Sequence, residues 1–229
     1  MTWTGLYVAS LVLSAFGAWA ISRHGDKVGL VDCPNGRSSH CMPTPKGGGI
    51  GIFFVFLMSA GVLGLPVSFW LPIGIMAVVA FWGDRIELSA KLRLVIQLGL
   101  IAVVIVSGGG GAALGGRQYL LWAGFRTVFI VGTANYYNFM DGINGIAGIT
   151  GLLGFALLAA YVNLIEGSVE VKGLAVCLSL ACLGFLPLNM PKARVFMGDI
   201  WSILLGRAFA GLIWLAAESC RLRKQTEKK

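Results

Sequence analysis

Ile146-Ala147-Gly148-Ile149-Thr150-Gly151-Leu152-Leu153-Gly154-Phe155-Ala156-Leu157-Leu158-Ala159-Ala160-Tyr161-Val162-Asn163-Leu164 carries no charged side chain. An α-helix needs roughly 17–25 such residues to cross a bilayer. Outward from this run, seven more apolar segments follow: Thr4–Ile21, Gly48–Leu65, Val67–Trp82, Leu94–Val106, Leu120–Tyr137, Gly173–Leu188 and Ile200–Ala217. They are continuous rather than alternating, which argues against a β-barrel. Val67–Trp82 and Leu94–Val106 are the short ones. Of 229 residues 57% are hydrophobic and 12% charged, with a mean hydropathy of +0.81, whereas soluble domains hold about 25% charged residues. The expected fold is all-α, a polytopic integral membrane protein of about eight transmembrane helices. Residues 1–217 form the membrane domain and 218–229 a basic tail.

The net charge of +8 does not point to nucleic acid, because the basic residues sit in loops beside apolar runs. Alternate connections hold Arg23, Lys27, Arg37 and Lys46, then Arg85, Lys91 and Arg93, then Lys192 and Arg194. The other short loops hold Arg117 and Lys172, with Arg126 near a helix end. The positive-inside rule places the richer side in the cytoplasm and the N-terminus outside. Met1-Thr2-Trp3-Thr4 lacks a basic n-region, so the first run reads as a retained helix. The tail Arg221–Lys229 is basic where eight spans would put it outside. Either Ile200–Ala217, which contains Arg207, does not span, or the count is off by one, or the tail is not this architecture's natural ending. Cys33, Cys41, Cys177, Cys182 and Cys220 follow no metal or disulfide spacing and read as structural.

On this topology Asp84, Asp141 and Asp199 reach one face of the membrane. Acidic residues at membrane-helix ends are functional candidates by default. Asp141 ends Asn135-Tyr136-Tyr137-Asn138-Phe139-Met140-Asp141-Gly142-Ile143-Asn144-Gly145. In a helix Asn135, Asn138 and Asp141 share a face, able to hold a polar head group or a hydrated cation. Asp199 closes Lys192-Ala193-Arg194-Val195-Phe196-Met197-Gly198-Asp199, where it is a metal ligand or an ordinary N-cap. Asp84 lies in Gly83-Asp84-Arg85-Ile86-Glu87, which is otherwise a solvated charged turn. Pro43-Thr44-Pro45-Lys46-Gly47-Gly48-Gly49 runs into a helix. Either it is a plain connection, or its glycines and helix N–H groups approach an anion with Lys46 as a point charge for phosphate. Magnesium binds through one or two carboxylates with substrate phosphates completing its shell. Together these residues suggest magnesium-dependent transfer between a phosphorylated soluble substrate and a lipid.

In order and spacing, Arg37-Ser38-Ser39-His40, Pro43–Gly49, Asn138–Gly145 and Val195–Asp199 make the chain resemble the polyprenyl-phosphate N-acetylhexosamine-1-phosphate transferases. These are glycosyltransferase family 4, and the likeness is to the O-antigen-type branch. The resemblance implies a catalytic-type membrane domain over residues 1–217. It implies transfer of sugar-1-phosphate from a UDP-N-acetylamino sugar to undecaprenyl phosphate, releasing UMP, in bacterial cell-surface polysaccharide (O-antigen, lipopolysaccharide, cell wall) biosynthesis. It further implies Mg2+ as cofactor, an inner (cytoplasmic) membrane location with the site facing the cytoplasm, and a homodimer as a candidate assembly. By the same resemblance Asp199 and Asp141 are metal ligands. Asp84 and Asp141 are catalytic, and Thr44, Lys46, Asn135 and Asn138 bind substrate.

Three departures from the family pattern stand out. Gly83 replaces the first of two adjacent aspartates, Trp201 stands where a glycine is usual and is expected to crowd the site, and family members continue for about two more helices and a histidine-containing loop. The alternative is a truncated, non-catalytic paralogue that keeps lipid or nucleotide binding.

Overall fold

The computed structural model describes residues 2–34, 42–85, 90–107 and 115–226, with side chains described in these stretches except at 82–85, 90, 91, 93, 94, 97, 107 and 221–226. Eight α-helices occupy them: α1 (Trp3–His24), α2 (Ile50–Val62), α3 (Val67–Arg85), α4 (Ala90–Ser107), α5 (Gly116–Met140), α6 (Ile146–Leu164), α7 (Val169–Asn189) and α8 (Asp199–Thr226). Each contains the greater part of one apolar segment. Among the described residues four stretches are long and apolar enough to cross a membrane: Trp3–Val28, Ile146–Leu164, Val169–Asn189 and Asp199–Cys220. Ile50–Val62 and Val67–Phe81 are apolar but shorter. The last apolar segment, despite Arg207, therefore continues as one helix of spanning length.

α2 is shorter than its apolar segment, at 13 residues. Its leading glycines form a turn, and at the other end Gly64 adopts φ +70 ahead of Pro66, which disfavours helix in the residue before it.

α7 packs against α1, α2 and α6, while α8 lies against α5 and α3. Lipid tails are as apolar as leucine, so membrane helices associate through close packing and hydrogen bonds rather than through exclusion of water. The molecule uses both. Gly17 of α1 meets Gly51 of α2 so closely that a Cβ there would lie 2.7 Å from the Gly51 Cα. Ser14 donates to the Ala181 carbonyl at 2.6 Å, Ser179 to Leu152 at 2.8 Å, and Tyr137 to Ala147 at 2.6 Å. Each bond crosses between helices and satisfies a hydroxyl that would be costly to bury alone. Outward faces are apolar instead: Val8, Val12, Phe16 and Trp19 form an exposed stripe on α1. Cys177 and Cys182 are buried free thiols and Cys33 is an exposed one.

All-α is accurate for the bundle, with one small addition. β1 (Val31–Asp32) pairs antiparallel with β2 (Thr44–Pro45), in register Val31 with Pro45 and Asp32 with Thr44. The ribbon ties the α1–α2 connection to itself before it reaches α2.

Candidate functional site

The two helix-end motifs meet. Asp141 is the C-cap of α5. Gly198, just before α8, donates its N–H to the Asp141 Oδ2 at 3.1 Å. Gly198 adopts φ +94, and a Cβ there would lie 3.1 Å from the Gly47 nitrogen. Both facts call for glycine. One helical turn inside α8, the Ser202 hydroxyl bonds the Asn138 Oδ1 at 2.7 Å and the Asp199 carbonyl at 3.0 Å. The end of α5 is thereby held to the start of α8 at two points. Asp199 is the first residue of α8 and exposed. Gly198 occupies the preceding position, so the N-cap reading of Asp199 does not hold.

Burial pushes the Asp141 carboxyl up to about 7; the Gly198 N–H opposes the rise and the Asp199 charge adds to it. Two carboxylates close enough for the Asp199 charge to bear on Asp141, one largely buried and one open, are a donor set a divalent cation would relieve. Among the described residues no third His, Cys, Asp or Glu joins them. Asp84 falls near the C-terminal end of α3; its side chain lies outside the described residues, as do Ser38, Ser39 and His40.

The glycine loop lies against the α7–α8 loop, and its amides do not take the anion-binding alternative. Gly47 and Gly48 donate their N–H groups to the Phe196 carbonyl at 3.0 and 2.9 Å, and Gly49 donates to Met197 at 3.1 Å. Phe196 in turn donates to Pro45 at 2.8 Å. These amides are already spent on the α7–α8 loop, so they are not free for an anion. A Cβ on Gly48 would strike Val195, and one on Gly49 would strike Trp201 and Met197. The glycines serve contact between two loops. What the loop presents outward is Lys46, which is exposed and pairs through its backbone with Phe196. Thr44 is buried and its hydroxyl bonds the Met42 carbonyl at 3.0 Å, shaping the loop. Asn135 is exposed on α5, one turn before Asn138.

Sequence reasoning passed over two residues. Asn189, the last of α7 and 4% exposed, accepts from the Gly145 N–H at 2.7 Å and donates to the Val195 carbonyl at 3.0 Å. One amide thus bridges the α5–α6 turn and the α7–α8 loop. Ser202 is the other. Both look like ordinary members of apolar runs, and only the buried amide at a helix end was a readable signal. Trp201 does not crowd the site. It is buried and turned into the bundle beneath the glycine loop, with ring centroids 5.2 Å from Phe53 and 6.3 Å from Phe81.

The pattern of the glycosyl transferase family 4 matches residues 66–217. The chain belongs to that family. A probable undecaprenyl-phosphate N-acetylglucosaminyl 1-phosphate transferase of Bacillus subtilis (strain 168) is 30% identical over 212 residues, 87% of this chain and 59% of that protein. An undecaprenyl-phosphate alpha-N-acetylglucosaminyl 1-phosphate transferase of Salmonella typhi is 30% identical over 209 residues, 84% and 56% of the two chains. A phospho-N-acetylmuramoyl-pentapeptide-transferase of Synechococcus sp. (strain JA-2-3B'a(2-13)) is 30% identical over 243 residues, 91% and 65%. The chain therefore spans less than two thirds of the length of these relatives.

Proposed function

We propose that this chain transfers an N-acetylamino-sugar 1-phosphate from a UDP-sugar to undecaprenyl phosphate and releases UMP. The observation that carries the reading is the pairing of Asp141 and Asp199 across the Gly198 bond, beside the loop that presents Lys46. Asp141 and Asp199 hold Mg2+ in this reading. When bound, the cation neutralises charge on the transferred phosphoryl group. Lys46 meets the donor diphosphate, with Asn135 and Asn138 nearby on α5. A phosphate oxygen of the lipid attacks the sugar-linked phosphorus. The bond to UMP breaks, and the new diphosphate joins sugar to lipid. Asp84 acts at the attacking phosphate. Such transfer depends mainly on positioning and charge neutralisation.

The reading includes about eight spans, a cytoplasmic-facing site in a bacterial inner membrane, homodimeric assembly and a role in O-antigen or related surface polysaccharide. A second reading, a non-catalytic paralogue, is favoured by Gly83, which leaves Asp84 without an adjacent carboxylate. UMP release from membranes containing the chain, with undecaprenyl phosphate, magnesium and a panel of UDP-N-acetylamino sugars, separates the two. Release that needs lipid and magnesium, and disappears in Asp199→Asn, is the expected result. Full activity in that variant removes Asp199 from the metal site, and no release from folded wild-type protein favours the second reading.

A further inference from the structure

Among the described residues two arginines are buried inside the bundle, and only one has its charge accounted for. Arg126 of α5, 3% exposed, lies between Trp122 and Trp214 at 4.6 and 4.9 Å, with Glu218 nearby. Indole faces attract a guanidinium, so this cation clamps α5 to α8. Arg207 of α8 is 5% exposed, and its Nε is fully enclosed with no acceptor. Among the described residues it has no carboxylate, hydrogen-bond acceptor or aromatic ring as partner. At 5% exposure it is not a surface snorkelling side chain, whose head group stands out in solvent. An unpaired charge within a membrane span is costly and marks a ligand or ion path by default.

Its place in the fold says which ligand. Arg207 is eight residues into α8 from Asp199, about 12 Å along the axis, and the Cβ of a helical residue tilts toward the N-terminus, here toward Asp199. Gly206 faces α5 at Ala134 and Thr133, and Gly211 faces α3 at Phe69. Arg207 lies on the α8 surface between those two contacts. Those two neighbours, α5 and α3, are the helices that end on Asp141 and carry Asp84. A soluble diphosphate reaches the exposed Lys46 end first.

We propose that Arg207 receives the phosphate of the lipid acceptor and guides it toward the carboxylates. The proposal rests on the transferase reading for the acceptor's identity. The full chain in nanodiscs, as wild type, Arg207→Met and Arg207→Lys, is assayed in two ways. In turnover, Arg207→Met is expected to raise KM for undecaprenyl phosphate at least tenfold, leave KM for the UDP-sugar within twofold, and recover partly in Arg207→Lys. In thermal unfolding, undecaprenyl phosphate raises the midpoint of wild type but not of Arg207→Met, and undecaprenol raises neither. Without lipid, Arg207→Met is at least as stable as wild type, since it removes an unpaired buried charge. Unchanged acceptor KM, equal rises in donor and acceptor KM, or lipid-phosphate stabilisation that survives in the variant overturns the proposal. Absent UMP release with the binding pattern intact overturns the transferase reading alone.

Discussion

Asp141 links the candidate site to the stability of the fold. Its proton affinity is raised on folding, to about 7 from an ordinary 3.8. Between those values the unfolded chain loses the proton while the folded chain keeps it, so the contribution to stability falls as pH rises from about 4 to about 7. Above that window the charge costs the fold on the order of 2–4 kcal/mol. Asp141→Asn keeps an acceptor for Gly198 and removes the charge. Without magnesium it is expected to raise the unfolding midpoint most at pH 8 and less at pH 5, where only part of the window has been crossed, and thermal scans at both pH values check this. Gly198→Ala forces a side chain into a conformation that favours glycine, at about 1–3 kcal/mol, and pushes on Gly47. It is expected to lower the midpoint and to reduce UMP release more than the midpoint alone accounts for. Gly83→Asp restores a carboxylate beside Asp84, and if the rest of the site is intact kcat rises.

Loops and helix ends carry the site, and they are joined by few bonds. Asn189 ties the α5–α6 turn to the α7–α8 loop through one amide, beside the Asp141–Gly198 bond. Asn189→Ala leaves the Gly145 N–H and the Val195 carbonyl to find new partners, at about 1–3 kcal/mol for each group left unpaired. Asn189→Asp keeps the acceptor for Gly145 and loses the donor, so its unfolding midpoint is expected between wild type and Asn189→Ala. The glycine loop follows the same logic. Its composition was legible as a turn into a helix. Its hydrogen-bond partners were not legible, because Phe196 and Met197 lie about 150 residues downstream and local sequence cannot name a remote acceptor.

Across the whole molecule, the charge pattern of the loops predicts one orientation. With the site end cytoplasmic, Lys192→Cys in a background without native cysteines is expected to react with an impermeant maleimide in inside-out vesicles and not in intact spheroplasts. The reverse pattern inverts the topology. Eight apolar runs were readable along the chain because continuous hydropathy is a one-dimensional property, and each became the larger part of a helix. Asp141 and Asp199 were readable as candidates because charge at the edge of an apolar run is conspicuous. Their union through Gly198, the use of the glycine amides for loop contact, and the inward turn of Trp201 depended on which helix ends meet. The same holds for Arg207, which in the sequence merely interrupts an apolar run. The sequence by itself determined a helical membrane protein with Asp84, Asp141 and Asp199 at the ends of apolar runs, because burial in lipid selects on composition. Only the tertiary structure decided which polar groups are spent on one another and which remain for a ligand, because a hydrogen bond requires atoms within about 3 Å, and only the packed bundle brings these segments that close.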